Sequence, residues 1–112
     1  MGTWSFNNDE LFELVRCGRK TATCAVLDNE PLSSPGDVEQ IVNSKGVIIK
    51  IQITKVEIKR FCDIDEEWAK KEGEGDLSLA YWQKVHKEFF TNYYKNFAPE
   101  TKLVCEEFFL LK

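Results

Sequence analysis

The sequence predicts an α+β fold, a small curled antiparallel sheet or partly closed β-barrel with helices at its ends. Three observations predict it. The periodic segments run in the order helix, three strands, helix, helix, strand. Val47 to Ile58 alternates, with Ile49, Ile51 and Ile53 on one parity and Lys50, Gln52 and Thr54 on the other. The turn residues Asn43-Ser44-Lys45-Gly46 join that segment to Val38–Val42, so the strands read as antiparallel and hairpin-connected.

Each element has a local cause. Asn8-Asp9 caps a helix from about Glu10 to Cys17 with Leu11, Leu14 and Val15 on one face, and Gly18 stops it. Thr21 to Leu27 is small and β-branched, hence a strand. Two prolines and a glycine between Asn29 and Asp37 make a loop into the strand Val38–Val42. The parity change at Val56 and Ile58 predicts a bulge near Thr54-Lys55. Asp65 sits near the start of a short helix, Asp63 to Lys71, which Glu72-Gly73-Glu74-Gly75-Asp76 breaks. Ser78 caps a longer helix from Leu79 to about Phe97, and Lys102 to Leu111 closes the chain as a strand.

Composition narrows the class of function. A chain of 112 residues with 43% hydrophobic and 30% charged residues is one ordinary globular domain, 1–112. It buries roughly two thirds of its unfolded surface without help from disulfides or metal. No run reaches the roughly 20 apolar residues of a membrane span, and Met1 to Phe6 has no basic head, so a cytoplasmic protein without membrane partners is expected. Cys17, Cys24, Cys62 and Cys105 form no Cys-x-x-Cys pair and His86 is the single histidine, so neither a metal nor another cofactor is expected and the thiols read as small, buried and reduced. The net charge of −4 excludes a protein that coats nucleic acid by general electrostatics. The lysines at 45, 50, 55 and 59 and Arg60 read as a solvated strand face.

Two distant segments carry candidate chemistry, Gly18-Arg19-Lys20-Thr21-Ala22-Thr23 and Glu72-Gly73-Glu74-Gly75-Asp76-Leu77-Ser78. Together they supply a base, a hydroxyl nucleophile and an acid if the fold joins them. Each also has a plain structural reading: a strand edge with a lysine at a helix C-terminus, and a solvated acidic turn. In a regular strand Lys20 and Thr23 face opposite sides, so convergence requires Lys20 to stand outside the strand. Burial beside Arg19 would lower the lysine pKa and a nearby Glu72 or Glu74 would raise it, which leaves base and charged contact both open. The acidic turn lacks the twelve-residue calcium-loop pattern. His86 reads equally as a hydrogen-bonded helix residue and as a catalytic one.

In order along the chain, Leu14-Val15-x-x-Gly18-Arg19-Lys20-Thr21-Ala22-Thr23, Pro35-Gly36-Asp37, Glu67-x-Ala69-x-x-Glu72-Gly73-Glu74-Gly75-Asp76-x-Ser78-Leu79-x-Tyr81-Trp82-x-x-x-His86-x-x-Phe89-Phe90 and Val104-Cys105-Glu106-x-Phe108 resemble the ASCH domain, a small PUA-like barrel. The resemblance implies a cleft between the lysine segment and the acidic turn. Similar members include amidohydrolases of N4-acetylcytidine and ribonucleases of single-stranded RNA. The amidohydrolase pattern implies Lys20, Thr23 and Glu72 as a catalytic set, with Lys20 activating Thr23 and Glu72 relaying a proton. Arg19, Ser78, Tyr81 and Trp82 are the implied substrate contacts, with Tyr81 or Trp82 stacking on a base. The fuller Glu-Gly-Glu-Gly-Asp-x-Ser-Leu-x-Tyr-Trp segment resembles a different branch, for which the same cleft is expected to hold or cut RNA, with Lys20 and Ser78 as participants. The expected partner is a nucleoside or a short single-stranded RNA.

Overall fold

The computed structural model describes residues 3–6, 8–28 and 32–111. The elements are β1 (Thr3–Trp4), α1 (Asp9–Arg16), β2 (Ala22–Val26), β3 (Val38–Val42), β4 (Ile48–Arg60), a 3-10 turn (Phe61–Asp63), α2 (Glu66–Glu72), α3 (Leu79–Tyr93) and β5 (Lys102–Leu111). The start of the predicted Asn29–Asp37 loop, residues 29–31, lies outside the described residues.

The three helices begin where their caps allow. The Asn8 side chain accepts from the Leu11 N–H, Asp65 from Trp68 and Ser78 from Tyr81, each satisfying one orphan donor of a first turn. Gly18, at φ +86°, ends the first helix, and the N–H groups of both Arg19 and Lys20 then donate to the Leu14 carbonyl at 3.0 Å. The chain is thereby turned before β2 starts at Ala22, so Lys20 stands outside the regular strand. Helix α3 stops at Tyr93, short of the expected Phe97, because Tyr94 is already extended.

The sheet order is β1-β3-β4-β5-β2. Only the β3–β4 contact is the expected hairpin. β2 pairs with the C-terminal strand β5, and β1 adds a parallel edge to β3. A register shift between Ile53 and Lys55 places the predicted bulge, which keeps Val56 against the same core cluster as Ile51 and Ile53 despite its opposite parity. β5 feeds two clusters: Leu103 and Cys105 pack with Trp68, Trp82 and Phe90, while Phe108 packs with Phe12, Val15 and Ile41. β1 and β2 are opposite edges and are not paired, yet Trp4 from one and Thr23 from the other line a single cavity. The sheet is therefore curled but not closed into a barrel.

The cysteines divide: Cys105 is buried and Cys24 half-buried, whereas Cys17, at the C-terminal cap of α1, and Cys62, in the 3-10 turn, are exposed. The expectation of four buried thiols fails because both exposed ones sit where an element ends at the surface. Among the described residues no helix is long and apolar enough to cross a membrane.

Candidate functional site

Backbone contacts join the two segments that carry the candidate chemistry. The Thr21 N–H donates to the Lys71 carbonyl at 2.8 Å. Gly73, at φ +74°, ends α2 so close to the preceding segment that a Cβ there would lie 2.5 Å from the Arg19 carbonyl oxygen. Only glycine combines that dihedral with that approach.

The join places Lys20 against the acidic turn. Lys20 is 2% exposed and Glu72 1%, the only buried charged side chains among the described residues. Lys20 Nζ lies 3.1 Å from Glu72 Oε1, 3.3 Å from Glu74 Oε2 and 3.4 Å from the Glu72 carbonyl. The other Glu72 oxygen, Oε2, accepts from the indole N–H of both Trp68 and Trp82 at 2.7 Å. His86 Nε2 sits 3.5 Å from Glu72 Oε1, and its Nδ1 is 2.9 Å from the Trp82 carbonyl. Among the described residues no buried side-chain nitrogen or oxygen lacks a hydrogen-bond partner.

These contacts set the charges. Burial disfavours the Lys20 ammonium, but Glu72 and Glu74 outweigh it and the lysine pKa is raised. Burial likewise pushes the Glu72 carboxyl up, and Lys20, His86 and Trp82 together hold it down at about 2. His86 loses by burial and gains more from Glu72 and Glu74, so its pKa is raised. The two carboxylates thus favour the ammonium form of Lys20 over the neutral amine.

Above this floor opens a cavity of about 580 Å³. Thr23, Cys24 and Ala25 of β2 line it with His86, Phe89 and Phe90 of α3, with Tyr94 just beyond that helix, and with Trp4 and Phe6 from the N-terminal edge. Glu39, Glu72, Glu74 and Glu106 also face it. Lys20, Thr23 and Glu72 therefore share one cavity. The expected substrate contacts do not join them there. Arg19 is exposed, Ser78 caps α3, and Tyr81 packs over Gly75. Trp82 is buried, with Phe61 and His86 stacked on its ring at centroid distances of 5.3 and 4.2 Å, so no ring face is open to a base. Glu74 contacts Lys20 directly, whereas Asp76 accepts from the Ser78 N–H within the turn. Sequence reasoning left His86 undecided; the signal that places it is its i,i+4 spacing from Trp82 on one helix face.

Cys24, Glu72 and His86 bring possible metal-ligand atoms within 4.8 Å of one another. The donor chemistry does not suit a cation. The Lys20 ammonium and two indole N–H groups already occupy the carboxylate, and burial followed by Glu72 pushes the Cys24 thiol well up, disfavouring thiolate.

An open, curled α+β sheet whose two edges and long helix wall a cavity floored by a buried Lys-Glu pair defines a pocket-bearing domain. The chain belongs to the ASCH domain family, whose model matches residues 2–112. It is similar to the ASCH domain from Lactobacillus crispatus JV V101, with 29% identity, a TM-score of 0.85 and coverage of 97% of this chain and 79% of that one. The protein EF3133 from Enterococcus faecalis V583 is 33% identical at a TM-score of 0.84, covering 98% of this chain and 79% of that one. ZmASCH from Zymomonas mobilis, 17% identical at a TM-score of 0.61 and covering 98% and 66%, shares the fold. No curated protein matches the sequence.

Proposed function

We propose that the cavity binds a neutral modified nucleoside and hydrolyses an exocyclic amide of the kind found in N4-acetylcytidine. The observation that carries this reading is the Lys20 ammonium, held by two carboxylates at the floor of a cavity that Thr23 also lines. A fixed, buried ammonium stabilises the negative charge that develops on a carbonyl oxygen under attack. In this reading Thr23 Oγ1 attacks the carbonyl carbon and Glu74, more exposed than Glu72, takes the hydroxyl proton. Glu72, with both oxygens engaged, holds Lys20 in place and is the positioning member of the set. The aromatic rings at Trp4, Phe6, Phe89 and Tyr94 suit a flat heterocycle. The four lining glutamates oppose a polyanion, so a neutral nucleoside fits better than a phosphate backbone.

The test is turnover of N4-acetylcytidine to cytidine and acetate, followed by chromatography. Lys20→Ala and Thr23→Ala are each expected to lose about 100-fold or more. Full activity in Lys20→Ala sinks the reading. Tight, steeply salt-dependent binding of single-stranded RNA, with no effect of acylated nucleosides, would favour an RNA-binding or ribonuclease role for the same cavity.

A further inference from the structure

We propose that His86 is held as a doubly protonated imidazolium and is the proton donor to the leaving nitrogen; the donor role rests on the amide-hydrolysis reading above, the charge state does not. The geometry at the two ring nitrogens carries the charge state. Nδ1 lies 2.9 Å from the Trp82 carbonyl oxygen, and a carbonyl only accepts, so Nδ1 bears a hydrogen. Nε2 lies 3.5 Å from Glu72 Oε1, and a bare nitrogen lone pair there would confront an ionised carboxylate, so Nε2 bears one also. Stacking on Trp82 at 4.2 Å, with Phe90 against the ring at 5.9 Å, fixes the ring plane, and a flip within that plane would trade both nitrogen contacts for ring carbons.

The groups around the ring support the same charge. Glu72 of α2 and Glu74 of the following turn face it with negative charge, Lys20 shares Glu72 Oε1 with it, and Cys24 of β2 remains a neutral thiol. Glu39 of β3 and Glu106 of β5 line the same cavity. His86 itself lines the cavity, beside the Glu72 carboxylate that its Nε2 faces.

The chemistry balances. When the tetrahedral adduct on Thr23 collapses, the C–N bond breaks, its electron pair stays on nitrogen, and the Nε2 proton neutralises it. Water then attacks the resulting Thr23 ester and returns a proton to Nε2. Glu74 gives the proton it took from Thr23 back to the departing threonine oxygen. The sum is amide plus water to amine plus carboxylic acid.

The chain has one histidine, so the ring nitrogens give one unambiguous pair of nitrogen-15 signals. Both are expected at imidazolium positions at about pH 7.5, where a free histidine is mostly neutral, with the midpoint lower in Glu72→Gln. A neutral-tautomer pattern in the wild type at about pH 7 overturns the proposal without any variant. The donor role is read by leaving group. His86→Gln, confirmed folded by circular dichroism, is expected to slow the acylation step by about 100-fold on the acyl amide and by less than about fivefold in the nitrophenolate burst from an acyl nitrophenyl ester, whose phenolate departs unprotonated. Equal losses on both overturn the donor role. Failure of the wild type on every acyl substrate overturns the hydrolytic reading and the donor role with it, while the titration still decides the charge state.

Discussion

Glu72 is the residue on which the site depends, because one carboxylate accepts from two indoles and faces an ammonium and an imidazole. Glu72→Ala leaves Lys20 as a buried charge with only the partly exposed Glu74 beside it. A loss of about 3 to 5 kcal/mol is expected in urea unfolding, and a smaller loss for Glu72→Gln, which keeps an oxygen for the indoles. That Lys20, Thr23 and Glu72 line one cavity was legible, because a lysine, a threonine three residues on and a distant acidic turn stand in an order that resembles the family pattern. The role of Trp82 was not legible. Its helical position marks a core residue and an aromatic platform alike, and only the fold shows that its N–H is needed by Glu72 and its ring by Phe61 and His86. The Glu74 contact was not legible either, because a carboxylate on a glycine-rich turn can point to solvent or to a lysine and only the fold brings Lys20 to it.

The α2–turn–α3 element positions the acidic wall, and its weakest tolerance is at Gly73. Gly73→Ala meets a left-handed dihedral and the Arg19 carbonyl at once, so a loss of about 1 to 3 kcal/mol in thermal or urea unfolding is expected. Ser78→Ala removes only the cap that receives the Tyr81 N–H, and about 1 kcal/mol is expected by the same measurement. Caps, the Gly18 stop and the β4 bulge were legible because each has a local cause: a side-chain oxygen, a missing Cβ, a change of parity. The strand partners were not. β2 finds β5 across most of the chain, and β1 is a two-residue edge with no period to detect. Such pairings follow from how the curled sheet covers its cores, which no local window contains.

For the molecule as a whole, the buried cluster makes stability depend on pH from both sides. Glu72 is depressed from 4.5 to about 2, so its contribution is complete above the unfolded value and is lost as pH falls toward 2. His86 is raised above 6.5, so its contribution is complete below that value and is lost as pH rises through the folded-state value. Lys20, raised above 10.5, adds a later alkaline limb. Urea midpoints measured across pH are expected to form a plateau near neutrality, and His86→Gln is expected to remove the first alkaline decline while leaving the acid one. The three tryptophans follow the same cluster. Trp68 and Trp82 donate to Glu72, and Trp4 donates to Glu39 at 2.9 Å on the cavity wall. Every indole in the chain is therefore tied to a carboxylate of the site. No tryptophan is silent: indole emission, excited selectively over tyrosine, reports the state of this pocket without a label, whether the event is a proton reaching Glu72 or a ligand settling beside Trp4.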